Sequence, residues 1–308
     1  MRKNTVLIVD EVHPSMAEEL TKLGFEVETR TNLSLDEFAG VLPSYDGLVV
    51  RSKFKITAEL LENTSLSFIA RAGAGLDLLD VDACLARGIA VFTANEGNSD
   101  AVAEHVIGQI LSLAHKLHTS DTEVRHGLWE REGNRGFEIN GKTIGIIGYG
   151  NMGKAVASRL AAFGLKILAY DKYVPSADYP ATMEQIFEKA DILSLHVPLT
   201  SETRGLVSTE FLASFKKPIL FINSSRGPIS PLEPLLHGLR NGRIKGLALD
   251  VLPNEKLSTW SPVEKELFDE IAAYPATIFS PHVAGWTTES YIKINEVLLQ
   301  KIQEHFAR

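Results

Sequence analysis

The six residues Gly148-Tyr149-Gly150-Asn151-Met152-Gly153 set three glycines at the spacing G-x-G-x-x-G. That spacing is common by chance, so its meaning rests on what flanks it. An apolar run, TIGII (143–147), leads straight in, and an Ala-rich helical stretch, KAVASRLAAFG (154–164), leads out. A second run, KILAY (166–170), ends on Asp171, 21 residues beyond Gly150. Each part suits a bound dinucleotide. Gly148 permits a tight turn, Gly150 lets the backbone approach a pyrophosphate, and Gly153 lets the helix pack close on the strand. Asn151 and Met152 lie between these glycines, before a helix whose N-terminus favours phosphate charge. Asp171 can accept hydrogen bonds from ribose hydroxyls and repels a 2′-phosphate, which favours NAD over NADP; Lys172 beside it pulls the other way. A glycine turn serving only strand–helix packing is the plainer alternative. The fingerprint describes binding and leaves the reaction open.

Such a turn needs a parallel sheet with crossover helices behind it, and the chain carries that pattern twice. The first series runs VLIVD (6–10), FEVET (25–29), GLVV (47–50), SFIA (67–70) and IAVF (89–92), with cap-like helix starts at Ser34 and Thr57. A long amphipathic stretch from Ser99 to about His126 follows, with Ala103, Val106, Ile107, Ile110, Leu111 and Leu113 at helical spacing. His115 and His118 sit three apart on it near Asp121, but no further ligand completes a metal set, and no metal is expected. GLWEREGNRGFEINGK (127–142) reads as a polar surface excursion. The second series is TIGIIG (143–148), KILAYD (166–171), DILSLHVP (191–198), PILFIN (218–223), KGLALD (245–250) and ATIFS (276–280). A helical stretch from Thr287 to His305 closes the chain.

Composition removes several classes of function. The 308 residues are 44% hydrophobic and 23% charged, close to the globular average, so disorder and coiled coil are disfavoured. With 31 basic against 39 acidic residues the net charge is −8, which argues against nucleic-acid and anionic-membrane partners. The first apolar run is broken by Asp10 and is too short for a signal peptide, so a cytoplasmic protein is expected. The single cysteine, Cys84, excludes an intramolecular disulfide framework and is expected to be buried.

Further motifs lie in order along the chain: Ala101-Val102-Ala103-Glu104-His105, His196-Val197-Pro198-Leu199-Thr200, Asn223-Ser224-Ser225-Arg226-Gly227, Leu249-Asp250-Val251-Leu252-Pro253-Asn254-Glu255 and Ser280-Pro281-His282-Val283-Ala284-Gly285. Together they resemble the signatures of the NAD-dependent D-2-hydroxyacid dehydrogenases across essentially the whole chain. The resemblance places the family's catalytic arginine on Arg226, its glutamate on Glu255 and its histidine on His282. It adds Val102, His196, Val197, Pro198, Ser225 and Asp250 to the cofactor groove, with Asp250 near the nicotinamide carboxamide. The residue types suit the chemistry. A histidine can take the hydroxyl proton while hydride leaves the same carbon. A carboxylate on its other nitrogen fixes the tautomer, and a guanidinium can hold the substrate carboxylate in a fork. Taken singly, each has a plainer reading, as a surface arginine or a solvated glutamate. Members that oxidise formate carry glutamine where Glu255 stands, so that activity is disfavoured.

The first series supplies the substrate clues. Arg71-Ala72-Gly73-Ala74-Gly75 follows SFIA, and its glycines could expose amides to a carboxylate or serve turn geometry alone. Arg51-Ser52-Lys53 resembles the basic segment of family members that act on 3-phosphoglycerate, as do Arg71 and Gly97-Asn98-Ser99. Phe54 and Leu78 depart from that subgroup at positions expected near the pocket. The resemblance implies two doubly wound α/β domains, a Rossmann NAD-binding domain (98–284) inserted in a flavodoxin-like substrate domain (1–97 and 285–308). Two such domains use up the chain, so no additional effector-binding domain is expected. A homodimer through the NAD domain is implied, with Arg131 a candidate to complete a neighbouring subunit's site. The expected activity is oxidation of 3-phosphoglycerate, with a glyoxylate or hydroxypyruvate reductase, or another D-2-hydroxyacid dehydrogenase of the same mechanism, next. An NAD(H)-sensing corepressor is the alternative of a different class.

Overall fold

Short β-branched runs become strands here because helices can cover both faces of a parallel sheet. The computed structural model describes residues 4–174 and 178–307. The chain opens with β1 (Thr5–Ile8), α1 (Ser15–Lys22), β2 (Glu26–Thr29), α2 (Leu35–Val41), β3 (Gly47–Val50), α3 (Ala58–Leu61), β4 (Phe68–Arg71), α4 (Val81–Ala86) and β5 (Ala90–Thr93). Next come α5 (Ser99–Ala114), α6 (Leu117–Arg125), β6 (Thr143–Ile147), α7 (Asn151–Ala162), β7 (Lys166–Tyr170), α8 (Met183–Lys189) and β8 (Ile192–Leu195). The last elements are α9 (Thr209–Ser214), β9 (Ile219–Asn223), α10 (Leu232–Arg240), β10 (Ile244–Leu249), α11 (Pro262–Ala272), β11 (Thr277–Phe279) and α12 (Thr288–Phe306). Met1–Ser99 with Trp286–Arg308 make one compact unit and Asp100–Gly285 the other.

In the first unit the strands are parallel in the order β2-β1-β3-β4-β5, the flavodoxin-like winding. One face packs Phe38, Leu42, Leu61 and Cys84 over the sheet. The opposite face packs Met16 and Leu20 of α1 with Ile294, Leu298 and Ile302 of α12. Ser34 caps α2 in a reciprocal box with Glu37, and Thr57 caps α3, as their sequence positions predict.

In the second unit the parallel order is β11-β10-β9-β8-β6-β7. A Rossmann sheet would carry a further strand outside β7. Here it shrinks to a parallel bridge, Ala169 to Pro180, in which the Ala169 amide donates to the Tyr179 carbonyl at 2.8 Å and the Ala181 amide to the Ala169 carbonyl at 3.0 Å.

Two expectations need correction. The stretch from Ser99 to His126 is not one helix, because Lys116 adopts left-handed backbone (φ 52°) between α5 and α6. His115 and His118 therefore do not share a helix, and His118 Nε2 lies 2.8 Å from the Pro275 carbonyl. In DILSLHVP the strand stops at Leu195, leaving His196, Val197 and Pro198 on the loop beyond. Residues 127–142 form no helix or strand, and Trp129 stands 81% exposed there. Among the described residues, no helix is long and apolar enough to cross a membrane.

Candidate active site

Arg226, Glu255 and His282 follow β9, β10 and β11, three neighbouring strands, at their carboxyl ends. Ligands of doubly wound sheets bind at that edge. β9 ends on Asn223, which is fully buried and organises the next turn. Its Oδ1 accepts from the Ser225 amide (2.9 Å) and hydroxyl (2.8 Å), while its Nδ2 donates to the Arg226 carbonyl (3.0 Å) and Ser230 Oγ (2.7 Å). Arg226 projects from this turn, with Nη1 donating to the Ser225 carbonyl at 2.7 Å. At Gly227 a Cβ would strike the Leu252 carbonyl, so the arginine loop lies directly against the loop that carries Glu255.

His282 Nδ1 is 3.0 Å from each carboxylate oxygen of Glu255. That contact occupies one ring nitrogen and leaves Nε2 as the atom able to exchange a proton with a ligand. The His282 backbone is left-handed (φ 56°), a conformation that costs a non-glycine residue of order 1 kcal/mol. Asp250 holds it there. The Asp250 carbonyl accepts from the His282 amide at 2.7 Å. Oδ1 of the enclosed Asp250 side chain accepts from Ser280 Oγ (2.6 Å) and the Val283 amide (2.9 Å), and Oδ2 from the Ala284 amide (2.9 Å). Asp250, expected beside the nicotinamide, thus has both oxygens engaged by the turn that presents His282. Below it, His105 Nε2 lies 2.9 Å from Ser280 Oγ and 3.1 Å from Gln109 Nε2. Asn223, Ser280 and His105 sit inside the quoted motifs without a role assigned from sequence. Gln109 lies outside them, and its one signal is a polar residue on an apolar helical face.

The glycines of the fingerprint divide by cause. At Gly148 (φ 95°) a Cβ would strike the His196 carbonyl, and at Gly153 it would strike the Gly148 carbonyl, so the chain itself requires both glycines. Gly150 has extended backbone and nothing within 4 Å of a built Cβ. The open space above it is what a pyrophosphate needs, and α7 begins there with no side-chain cap, leaving its first amides for an anion. Asn151 is exposed at the start of α7 and Met152 half-buried. Asp171 is aimed by backbone: Oδ2 accepts from the Tyr149 amide at 2.7 Å, and Oδ1 from the Tyr173 and Val174 amides at 2.8 Å each. A depression of about 390 Å³ opens beside it, lined by Tyr170, Pro180, Thr182 and Met183 among others. These features fit NAD.

The remaining expected cofactor residues differ in placement. Burial lowers the His196 pKa to about 4, so this histidine is neutral near pH 7, with Nε2 2.9 Å from Ser194 Oγ. Val197 abuts the Gly148 turn, and Pro198 is exposed with its carbonyl accepting from Thr203 Oγ1 at 2.6 Å. Val102 is buried in the core with Val106 and Ile110, and Ser225 is buried against Asn223.

In the first unit, the amides of Arg51, Ser52 and Lys53 all point at Asp10 Oδ2, at 2.6, 3.2 and 3.3 Å. The Arg51 guanidinium stacks 3.8 Å above the Trp286 ring, and Lys53 Nζ donates to the Thr31 carbonyl. A cavity of about 290 Å³ is lined by Asp10, Glu11, Thr31, Asn32, Arg51 and Lys53. Arg71 folds back over Gly73, where a Cβ would lie 2.6 Å from Nη1; Ala74 and Gly75 continue that turn half-buried. Phe54, expected near the pocket, is buried and stacked on Phe38 with centroids 4.5 Å apart and planes at 6°, its ring centroid 5.1 Å from the Nζ of Lys53. Leu78 is half-buried, and its carbonyl accepts from the Ile56 amide at 2.7 Å.

Comparison with known proteins identifies the family. The family model described as D-isomer specific 2-hydroxyacid dehydrogenase, NAD binding domain, matches residues 107–284. A hydroxypyruvate reductase of Thermotoga maritima is 34% identical over 299 residues, covering 94% of this chain and 96% of that protein. A D-3-phosphoglycerate dehydrogenase of Archaeoglobus fulgidus is 32% identical over 304 residues, covering 96% of this chain and 56% of that protein. The chain therefore spans nearly the whole of the first relative and about half the length of the second. A solved D-lactate dehydrogenase from Aquifex aeolicus, complexed with NAD and lactic acid, superposes with TM-score 0.85 at 26% identity, over 99% of this chain and 96% of that one.

Proposed function

The chain belongs to the NAD-dependent D-isomer-specific 2-hydroxyacid dehydrogenases, and from that premise we propose that it interconverts 3-phosphoglycerate and 3-phosphohydroxypyruvate. The observation that carries an oxidoreductase of this type is His282 Nδ1 held 3.0 Å from both Glu255 oxygens, beside the loop of Arg226. When bound, NAD supplies the hydride acceptor. The substrate's C2 gives up its hydrogen with both electrons, and the C2 hydroxyl proton passes to His282 Nε2. Glu255 favours the tautomer with the proton on Nδ1, leaving the Nε2 lone pair free, and it stabilises the imidazolium that forms. Arg226 offers a guanidinium fork to the substrate carboxylate and polarises the oxo group in the reverse direction.

The choice of a phosphorylated acid is supported by the cations of the first unit, with Arg51, Ser52, Lys53, Arg71, Gly73, Ala74 and Gly75 as the substrate-contacting set. A second reading, reduction of hydroxypyruvate or glyoxylate, is favoured by Asp10, which already occupies the three amides of residues 51–53. A role in serine synthesis, a cytoplasmic location and a homodimer through the second unit belong to the same proposal. The exposed Leu117, Val124, Leu128 and Trp129 of that unit support the dimer.

The test is a panel of phosphohydroxypyruvate, hydroxypyruvate, glyoxylate and pyruvate with NADH, read as kcat/KM. A preference of about ten-fold or more for the phosphorylated acid is expected, since a hydrogen bond to a charged group is worth about 1.5–3 kcal/mol. Preference for an unphosphorylated acid transfers the assignment to the second reading. Absence of turnover on all four refutes the enzyme assignment.

A further inference from the structure

Resting on the reading of the second unit as an NAD site, we propose that Glu202 is a determinant of dinucleotide choice, acting by claiming Lys172, the cation next in sequence to Asp171. Asp171 favours a 2′-hydroxyl, and the residue that follows it pulls the other way. A basic side chain beside the ribose acceptor is the kind of group that accommodates a 2′-phosphate, and Lys172 follows Asp171 directly. The segment is also tied to the acceptor, because the Tyr173 and Val174 amides both donate to Asp171 Oδ1 at 2.8 Å.

Lys172 is already engaged. Its Nζ donates to Glu202 Oε2 at 2.9 Å, and the Tyr173 hydroxyl donates to the same oxygen at 2.7 Å. The ammonium also lies 5.3 Å from the Tyr173 ring centroid. Glu202 arrives from the turn after β8, which a reciprocal threonine pair fixes. The Thr200 amide donates to Thr203 Oγ1 at 2.8 Å and the Thr203 amide to Thr200 Oγ1 at 3.3 Å. The Lys172 and Glu202 side chains are 57% and 51% exposed, and an ion pair so exposed contributes little to stability. Its effect is on charge. With Glu202 present, residues 171, 172 and 202 together present net negative charge to whatever binds at Asp171; without it they are neutral and the ammonium is available. The bond to Glu202 raises the Lys172 pKa, so the ammonium is cationic where it meets that carboxylate. A 2′-phosphate would have to displace Glu202 and then share the locality with its carboxylate, whereas a 2′-hydroxyl meets only Asp171.

Calorimetric titration of the intact protein with NAD⁺ and NADP⁺ tests this without reference to the substrate. Glu202→Gln keeps the side-chain size and removes the charge. It should tighten NADP⁺ about three- to ten-fold at low salt while moving NAD⁺ by less than about two-fold. Adding Lys172→Gln should abolish the gain, and raising the salt should shrink it. NADP⁺ affinity that is unchanged or below detection in the single variant overturns the proposal, as does a gain that survives in the double variant. Wild-type protein that fails to bind NAD⁺ overturns the cofactor reading itself, and the proposal with it. That outcome is visible before any variant is made.

Discussion

Asp250→Asn isolates the role of the turn that presents His282. The enclosed carboxylate accepts three hydrogen bonds, from Ser280 Oγ and the Val283 amide on Oδ1 and from the Ala284 amide on Oδ2. Asparagine keeps the shape but offers one acceptor oxygen and one NH₂. If the NH₂ replaces Oδ2 it faces the Ala284 N–H; if it replaces Oδ1 it faces the Val283 N–H, although the Ser280 hydroxyl can turn to accept. Either way one buried amide loses its acceptor and the remaining bonds lose their charge assistance. The cost is about 2–4 kcal/mol of unfolding free energy. The left-handed His282 backbone also loses part of its restraint. A displacement of the ring by about 1 Å lowers the rate by on the order of a hundred-fold. Urea unfolding and steady-state kinetics should therefore show lower stability together with a kcat reduced by about thirty- to a hundred-fold, while NAD affinity changes by no more than a few-fold. A variant with intact kcat and stability but NAD binding weakened ten-fold or more would refute the positioning argument and return Asp250 to the cofactor groove.

Three other substitutions probe the remaining chemistry. His282→Ala should lower kcat by about a hundred-fold or more while leaving NADH binding within a few-fold, measured by fluorescence titration; an unchanged kcat would remove the proposed base. Glu255→Gln should give a smaller loss of kcat, about ten-fold, again without effect on NADH binding. His196 predicts a pH effect on stability. Burial holds its folded pKa at about 4, below the unfolded 6.5, so the unfolded chain takes up the proton first as pH falls. The stabilisation of the neutral form is complete above pH 6.5 and lost progressively down to about pH 4, amounting to about 3 kcal/mol. The stability difference between wild type and His196→Gln should shift by that amount over the interval, and a pH-independent difference would contradict it.

What was legible in the sequence was chemistry written locally. The glycine turn, the Asp171 strand end and the alternating apolar runs each follow from neighbours within a few residues, and the structure keeps them. The break at Lys116 was not legible, because apolar spacing continues across it and no glycine or asparagine marks the left-handed residue. The third Rossmann strand was missed because only Tyr179, Pro180 and Ala181 remain of it, too few to make a run. The stacking of Phe54 on Phe38 was not legible, because no local spacing pairs two phenylalanines that far apart in the chain. The network of His105, Ser280 and Asp250 joins residues far apart in the chain, and only the folded sheet edge brings them together.

The placement of α12 has a consequence for how the protein is made. Its Ile294, Leu298 and Ile302 complete a core with Val6, Ile8, Met16, Leu20 and Phe68, Asn295 Nδ2 donates to the His13 carbonyl at 2.8 Å, and a Cβ on Gly97 would sit 2.8 Å from the Ile294 backbone. On the ribosome the second unit emerges as one continuous segment and can fold as it leaves. The first sheet, synthesised before the second unit, keeps one apolar face only partly covered by α1 until α12 follows that unit out. Domains usually mature in the order of translation. Of these two units the one begun first is closed second, and its partly covered face is where holding chaperones or aggregation would compete for the nascent chain.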